Sequence, residues 1–260
     1  MPDARPLRPR VLAGEPLIGT FLNLGSPAAA EVVARAGLDW VLIDLEHGAT
    51  ADGDLLPMLH AVAGSGASAV VRVEQGSRLR VGRALDLGAE GIMVPRIESA
   101  AEARETVTWL RYPPAGVRGV ALFTRGLGFG AGGHGAVASR NDEIVGIIQV
   151  EGPGALAASD EIASLDGVDV LFIGPADLSH ALGAPGQLDH AEYQAAVESV
   201  GRAARAHGKA AGVLLWRPED ADRYVDAGFT FFSVSSEGSL LQAAVRSAAD
   251  AVRARVRPRT

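Results

Sequence analysis

Acidic, basic and imidazole side chains cluster in four short segments of the sequence, each directly after an apolar run. These segments are residues 44–48, 72–74, 149–152 and 174–177. The last two contain Glu151 and Asp177, and two carboxylates completed by water or substrate oxygens suit Mg²⁺, Mn²⁺ or Co²⁺. The alternative is a pair of solvated acids, or one acid paired with Arg72. Because the chain has no cysteine and only His47 lies near these acids, we do not expect a closed structural zinc site.

His47 and Arg72 could supply proton transfer and charge stabilisation. His47 follows Asp44 by three residues, and a carboxylate beside an imidazole can fix its tautomer and raise its basicity, as suits a general base near neutral pH. Arginine in such a place commonly holds an oxyanion or a carboxylate. Each residue also has a structural interpretation: a polar loop residue for His47 and a hydrogen-bond acceptor for Asp44. Arg72 could simply form an ion pair with Asp44, Glu46 or Glu74.

The segment 173–179 is typical of a strand that turns directly into a short helix. Free backbone N–H groups at such a turn form an anion site, which suits a substrate carboxylate. Gln149 lies two residues before Glu151, so both side chains project to the same side of their strand. The residues predicted to bind substrate are Gln149, Gly174, Pro175, Ala176 and Trp216.

These residues require a fold that brings the ends of separate strands together. Short apolar runs alternate eight times with Ala-rich helical stretches, and this alternation implies parallel strands joined by right-handed crossovers. Strands are predicted at 18–24, 40–45, 69–73, 91–95, 145–150, 170–173, 211–215 and 229–234. Eight such units without a linker favour an α/β fold closed into a (β/α)8 TIM barrel. In a barrel, catalytic residues lie at the C-terminal ends of the strands, where the polar segments occur.

Capping residues and glycines predict where several helices begin and end. Helix starts are predicted at Ser26-Pro27, Ser77, Ser99 and Pro218, and helix ends at Gly37, Gly88, Gly208 and Gly228. One long irregular segment, 112–141, holds eight glycines. Loops of this length in compact domains are usually lids or interface segments.

Composition excludes several classes of protein. The formal net charge of −7 argues against a nucleic-acid partner, and the absence of cysteine excludes disulfides and a cysteine nucleophile. No uncharged apolar segment approaches the roughly 20 residues that span a membrane, so we expect a cytoplasmic protein. The whole chain, 1–260, is expected to form one domain. Its arginine- and proline-rich start, 1–12, is predicted to be a flexible tail.

Five blocks of the sequence resemble the HpcH/HpaI aldolase family, the class II pyruvate aldolases. They read DWVLIDLEHG from Asp39, GIMVP from Gly91, RYPPAGVRG from Arg111, QVE from Gln149 and FIGPADLS from Phe172. The blocks occur in the family's order and the resemblance covers residues 17–240. It implies a barrel enzyme that reversibly cleaves 4-hydroxy-2-oxo acids to an aldehyde and either pyruvate or a hydroxypyruvate-like 2-oxo acid.

The resemblance also implies roles for individual residues. Glu151 and Asp177 would be the ligands of a divalent metal, and His47 would be the base, oriented by Asp44. Arg72 would hold the keto oxygen and stabilise the enolate. The backbone amides around residues 176–177 would hold the substrate carboxylate, and the amide side chain at position 149 would support the metal site.

Oligomerisation is a further implication of the resemblance. Asp86 matches an acid that reaches a neighbouring subunit's site. The family typically forms a hexamer, a trimer of dimers that exchange their last helix, for which 238–256 is the candidate here. The alternative is that 238–256 is the ordinary eighth helix of its own barrel.

Two other functions are considered beside the aldolase. An acyl-CoA lyase of the citrate lyase or malyl-CoA type would need a basic groove, for which only Arg78, Arg80 and Arg83 are candidates. A barrel that only binds a keto acid would not need a positioned base. Lys209 is the only lysine and precedes the seventh predicted strand, which argues against a Schiff-base aldolase.

The sequence departs from the family pattern at several positions beside the expected aldehyde site. These positions are Phe21, Asn23, residues 122–130 and Ser236-Glu237. The departures leave the choice of aldehyde open.

Overall fold

The computed structural model describes residues 5–256. Eight parallel strands pair in chain order and close into a barrel through contacts between the last strand and the first. The strands are β1 (Leu17–Leu22), β2 (Trp40–Asp44), β3 (Ser68–Arg72), β4 (Gly91–Val94), β5 (Val145–Val150), β6 (Val170–Ile173), β7 (Ala210–Leu215) and β8 (Phe231–Ser236). The predicted (β/α)8 barrel is confirmed.

Helices follow the strands and cover the outside of the barrel. The α-helices are α1 (Leu7–Leu12), α2 (Pro27–Ala34), α3 (Leu55–Val62), α4 (Arg78–Asp86), α5 (Ala100–Leu110), α6 (Gly135–Glu143), α7 (Pro153–Ala157), α8 (Ser159–Ala163), α9 (Pro175–Ala181), α10 (Ala191–Ala206), α11 (Ala221–Asp226) and α12 (Glu237–Val256). Short 3₁₀ helices occur at Arg125–Gly130 and Pro218–Asp220.

All eight predicted strands are present, and those at 145–150 and 170–173 have the predicted bounds. The last strand shows the largest shift, because it was expected at 229–234 and is observed at Phe231–Ser236. Phe229 lies outside the strand. Its amide donates to the carbonyl of Tyr224, and the two rings lie 5.4 Å apart in the layer between strands and helices.

Side chains of one strand face fill the inside of the barrel. The rings of Trp40 and Phe231 stack 4.3 Å apart there, and Phe172 meets Phe231 edge-on at 6.4 Å. Gly19 on β1 is required by this packing, since a Cβ at that position would overlap the Trp40 ring. The opposite strand faces carry Val, Ile and Leu that pack beneath the surrounding helices.

The first helix corrects the prediction that residues 1–12 form a flexible tail. Leu7 and Val11 of α1 are buried in the cluster that fills the inside of the barrel. Arg8 donates from Nε to both Asp169 carboxylate oxygens, at 3.0 and 3.1 Å. A segment held by buried apolar and ionic contacts is part of the fold. Residues 1–4 of the predicted tail lie outside the described residues.

Most of the predicted helix boundaries are confirmed. The hydroxyls of Ser26, Ser77 and Ser99 each accept a hydrogen bond from the backbone N–H three residues later. The four glycines predicted at helix ends have φ values of +65° to +102°, a region open to residues without a Cβ. Pro218 is the exception, because it begins a 3₁₀ helix and α11 starts at Ala221.

Two segments lie at the periphery of the barrel. The segment 112–141 contains a 3₁₀ helix and most of α6, and exposes the contacting rings of Phe123 and Phe129. The long helix α12 buries only its first residue, Glu237. It therefore does not pack as the eighth helix of its own barrel. Across residues 5–256, no helix has the length and apolar character that crossing a bilayer requires.

Candidate active site

The candidate site is a cavity at the C-terminal ends of the strands. Side chains two residues apart point to the same side of a strand, so the inward face continues from the apolar core into polar residues at the rim. On β5, for example, Ile147 lies in the core, Gln149 follows, and Glu151 comes just beyond the strand. The cavity measures about 250 Å³ and is lined by Phe21, Asn23, Asp44, His47, Arg72, Gln149, Phe172, Gly174, Pro175, Ala176, Asp177, Leu214, Trp216 and Ser236.

A buried ion pair forms the floor of the cavity. Asp44 and Arg72 are register partners on β2 and β3. The arginine donates from Nε and Nη2 to the two carboxylate oxygens at 2.9 and 2.7 Å. Its Nη1 donates to Oε1 of Gln149 at 3.4 Å, and its guanidinium lies 5.1 Å from the Phe21 ring centroid. The ion pair considered for Arg72 therefore exists, and it holds the guanidinium at the cavity.

Asp44 does not orient the imidazole of His47, so that part of the prediction is wrong. Its Oδ1 accepts the backbone N–H groups of Glu46 and His47 at 3.0 and 3.3 Å, while both of its oxygens bind Arg72. The carboxylate nearest the imidazole belongs to Glu46, 3.7 Å from Nε2. The His47 side chain is 58% exposed and lines the cavity.

Glu46 was considered only as an ion-pair partner of Arg72, and the structure gives it more contacts. Its side chain is 6% exposed and lies 3.1 Å from Nη1 of Arg72. It also accepts from Nε of Arg96 at 3.2 Å. The sequence signal that Glu46 belongs to the site was its position two residues after Asp44, because that spacing places both carboxylates on the inner side of the strand.

Glu151 accepts hydrogen bonds from a residue beyond β4 and from a residue of its own strand, β5. Its Oε1 accepts the backbone N–H of Arg96 at 2.7 Å, and its Oε2 accepts from Nε2 of Gln149. A Cβ at Gly174 would lie 3.0 Å from the Gln149 amide nitrogen and 3.3 Å from Glu151 Oε2, so a glycine keeps this side of the carboxylate open. The predicted common side for residues 149 and 151 is confirmed.

The charge around Glu151 favours a cation. Burial raises the pKa of the Glu151 carboxyl, the Arg96 amide opposes this, and the neighbouring charges of Asp177 and Glu46 raise it further. Within residues 5–256, no three His, Cys, Asp or Glu residues are grouped as a metal site. Two carboxylates with room beside them fit a divalent ion that keeps water or substrate oxygens among its ligands.

The remaining predicted substrate-binding residues follow the ends of two neighbouring strands. Gly174 and Pro175 are buried where β6 turns into α9, whereas Ala176 is exposed. Trp216 follows β7 and is 41% exposed. All four line the cavity with Gln149.

Asp86 and Lys209, which the sequence also singled out, lie in other parts of the molecule. Asp86, at the end of α4, accepts from Nη2 of Arg118 at 2.8 Å and lines a separate cleft with Arg78, Arg80 and Arg83. Lys209 immediately precedes β7 and donates to the carbonyl of Leu165 at 3.2 Å. It is therefore at the end of the barrel opposite the cavity, as predicted.

Comparisons with known proteins agree with this arrangement. Residues 17–244 match the family model of HpcH/HpaI aldolase/citrate lyase. A hydroxypyruvate/pyruvate aldolase of Delftia acidovorans is 40% identical over 242 residues, 93% of this chain and 90% of the relative. A 5-keto-4-deoxy-D-glucarate aldolase of Klebsiella pneumoniae is 37% identical over 234 residues, 90% of this chain and 91% of the relative.

A solved structure from Burkholderia cenocepacia, described as a member of the same aldolase/citrate lyase family, has a similar fold. It superposes with a TM-score of 0.90 at 37% identity, over 95% of this chain and 98% of the other. This chain therefore belongs to the HpcH/HpaI aldolase/citrate lyase family.

Proposed function

We propose that this protein is a divalent-metal-dependent aldolase that cleaves 4-hydroxy-2-oxo acids to an aldehyde and pyruvate, or a hydroxypyruvate-like 2-oxo acid. The observation that carries the proposal is that Asp177, His47 and the anchored guanidinium of Arg72 line one cavity. Glu151 lies beside this cavity, close enough for the charges of Asp177 and Arg72 to act on its carboxylate. Relatives that share 37–40% of their residues with this chain are named as aldolases of hydroxypyruvate, pyruvate and a keto-deoxy sugar acid.

Glu151 and Asp177 would hold the divalent ion, Mg²⁺, Mn²⁺ or Co²⁺. When bound, such an ion supplies Lewis-acid polarisation of the keto oxygen of a 2-oxo acid. Gln149 supports this arrangement, because its amide nitrogen donates to Glu151 and its amide oxygen accepts from Arg72. The open side of Glu151 beside Gly174 leaves room for oxygen ligands from the substrate.

The protein's own side chains would stabilise charge and move a proton. Arg72 places a fixed positive charge where the enolate oxygen develops, and preorganised charge of this kind often dominates catalysis. In cleavage, the His47 imidazole would accept the proton of the substrate's 4-hydroxyl as the C3–C4 bond breaks and the aldehyde leaves. It would then give this proton to C3 of the enolate, which becomes the methyl group of pyruvate. Synthesis would begin with removal of a methyl proton and run the same transfers backward. The amides at residues 176–177 would bind the substrate carboxylate, and Trp216 would contact the aldehyde portion.

The purified protein supplied with Mn²⁺, Co²⁺ or Mg²⁺ tests the proposal. Incubation with pyruvate or hydroxypyruvate and a panel of aldehydes should form 4-hydroxy-2-oxo acids, detected by mass spectrometry and by the reverse cleavage. Acetyl-CoA with glyoxylate serves as the comparison for an acyl-CoA lyase. Formation of malyl-CoA without any aldol product would contradict the proposal.

The acyl-CoA alternative has less support in the structure. It requires free positive charge for the phosphates of CoA, and the candidate groove contains Arg78, Arg80 and Arg83. Arg80 already donates to both carboxylate oxygens of Asp52, at 2.7 and 2.6 Å, and to Glu74. The groove therefore has less positive charge available than its arginines indicate.

We also propose that the protein forms a homo-oligomer, a hexamer built as a trimer of dimers. Helix α12 leaves Leu240, Leu241 and Val245 45–60% exposed, so its apolar side chains are available to a second subunit. Asp86 lies outside its own subunit's cavity, as expected if it serves a neighbouring one. Sedimentation velocity should show a hexamer for the full chain. A chain ending after Ser236 lacks α12 and should form smaller species if this helix joins the subunits.

Replacement of Arg72 by lysine should lower kcat about 10²–10³-fold, the usual effect of losing one transition-state donor. Lysine keeps the charge but cannot donate in parallel to both Asp44 oxygens while also reaching Gln149. Steady-state kinetics measure the effect.

The Mn²⁺ affinity of Arg72→Lys should stay near that of the wild type, because the lysine preserves a positive charge near Glu151. A wild-type kcat in this variant would show that the parallel hydrogen bonds from the Arg72 guanidinium are not needed for catalysis. Arg72→Ala is a poorer test, since leaving buried Asp44 unpaired costs about 3–5 kcal/mol of stability.

A further inference from the structure

Arg96 has a backbone conformation that is rare for its residue type. It lies two residues beyond the end of β4, directly after Pro95, and its φ is +58°. Side chains with a Cβ avoid this left-handed region, and such residues concentrate where the surrounding structure needs them. An arginine has a conformational cost at this φ, so contacts of its backbone or side chain must offset that cost.

The contacts of Arg96 join the ends of two other strands. Its backbone N–H donates to Oε1 of Glu151 at 2.7 Å, beyond β5. Its side chain reaches the other way and donates from Nε to Oε1 of Glu46 at 3.2 Å, beyond β2. The left-handed backbone thus aims the amide at one carboxylate while the guanidinium is tied to another.

The second contact is anchored on the inside of the barrel. Glu46 is 6% exposed and also lies 3.1 Å from Nη1 of Arg72, so it is held between two guanidinium groups. The Arg96 side chain itself is 72% exposed. The buried acid, paired with two guanidinium groups, is therefore the fixed partner in this contact, and the exposed Arg96 side chain is the partner that it restrains.

We propose that Arg96 is a positioning residue that fixes the Glu151 carboxylate in the orientation in which it holds the divalent ion. This inference rests on the proposed function. The ion pair between the Arg96 side chain and Glu46 keeps the Arg96 backbone left-handed. This backbone directs the Arg96 N–H at one oxygen of Glu151. The other oxygen is directed by Gln149, so the two donors together define the plane of the carboxylate.

The test compares Mn²⁺ binding by the wild type and by three variants, using electron paramagnetic resonance of free Mn²⁺. Arg96→Ala should weaken binding about tenfold, the lower end of the usual effect of removing a group that orients a metal ligand, because it loses the contact with Glu46 and disfavours the left-handed backbone. Arg96→Gly loses this contact but adopts that backbone freely, so its loss should be smaller. Arg96→Lys can still pair with Glu46 and should recover most of the affinity.

Spectra and a matched control separate positioning from a general effect on the fold. The visible absorption of bound Co²⁺ reports ligand geometry and should change in Arg96→Ala. Arg104→Ala removes another exposed arginine, whose partner Glu161 lies 3.5 Å away on the outside of the barrel, and should bind Mn²⁺ like the wild type. Thermal unfolding of each variant confirms that it is folded.

Two outcomes would overturn the inference in distinguishable ways. If the wild type binds Mn²⁺ and Arg96→Ala binds it equally well with an unchanged Co²⁺ spectrum, Arg96 does not position Glu151 and the proposed function stands. If the wild type itself binds neither ion, the proposed function fails and the inference fails with it.

Discussion

Treatment with EDTA should abolish the aldol activity, and addition of Mn²⁺, Co²⁺ or Mg²⁺ should restore it. The expected loss is at least about 10³-fold, because Lewis-acid polarisation contributes several kcal/mol and each 1.36 kcal/mol is a factor of ten. Arg72 alone cannot replace this contribution, since its guanidinium is already shared among Asp44, Glu46 and Gln149. Full activity in the EDTA-treated protein would show that the reaction does not use a metal ion.

Glu151→Gln should produce the same loss without a chelator. Glutamine keeps the size of the side chain and removes the negative charge, so Mn²⁺ binding should fall with the activity. Glu161→Gln, an exposed acid on the outside of the barrel, is the matched control and should change neither. A Glu151→Gln variant with wild-type Mn²⁺ affinity would show that the ion binds elsewhere.

The affinity for the ion should also depend on pH. Burial raises the pKa of Glu151, so a proton competes for this carboxylate at a higher pH than at an exposed glutamate. The protonated acid does not bind the ion, and the Mn²⁺ dissociation constant should therefore rise as the pH falls through the raised pKa. Titrations in a pH series measure this, and a constant affinity down to the ordinary pKa of glutamate would contradict it.

The barrel and the positions of the site residues could be predicted from sequence because both follow from local periodicity. Alternating strands and helices imply the barrel, and polar residues after apolar runs mark its C-terminal rim. Gln149 and Glu151 share a side because they are two residues apart on an extended chain. The serine caps were equally local, since each hydroxyl binds an amide three residues away.

The contacts that were mispredicted join residues far apart in the sequence. Arg8 pairs with Asp169, 161 positions away, so the first helix looked like a charged tail. A local signal existed in Leu7 and Val11, four residues apart on one helical face. Asp44 had two possible partners, and the choice of Arg72 over the nearby imidazole depends on the register between β2 and β3.

The least predictable feature is the left-handed backbone at Arg96. Neither arginine nor the preceding proline indicates a positive φ, and the acceptors that explain it lie 50 and 55 positions away. Sequence periodicity specifies which side of a strand a residue occupies. It does not specify with which of several acids at the rim a given donor will form a hydrogen bond.

His47→Ala should lower kcat about 10²–10⁴-fold, the usual contribution of a positioned general base or acid. Metal binding should persist, because Glu151 and Asp177 are unchanged, and the fold should persist, because the imidazole is 58% exposed. The informative measurement is exchange of the pyruvate methyl protons with deuterium, followed by ¹H NMR in the presence of Mg²⁺. This reaction needs proton transfer but no aldehyde, so a loss of exchange is independent of the unknown acceptor.

His190→Ala is the matched control for this experiment, since His190 is exposed at the start of α10 and outside the cavity. It should exchange the methyl protons at the wild-type rate. Wild-type exchange in His47→Ala as well would assign the proton transfer to another group, and Glu46 would be the first candidate because its carboxylate lies 3.7 Å from the imidazole. Loss of exchange with normal Mn²⁺ affinity would instead separate proton transfer by His47 from ion binding by the two acids.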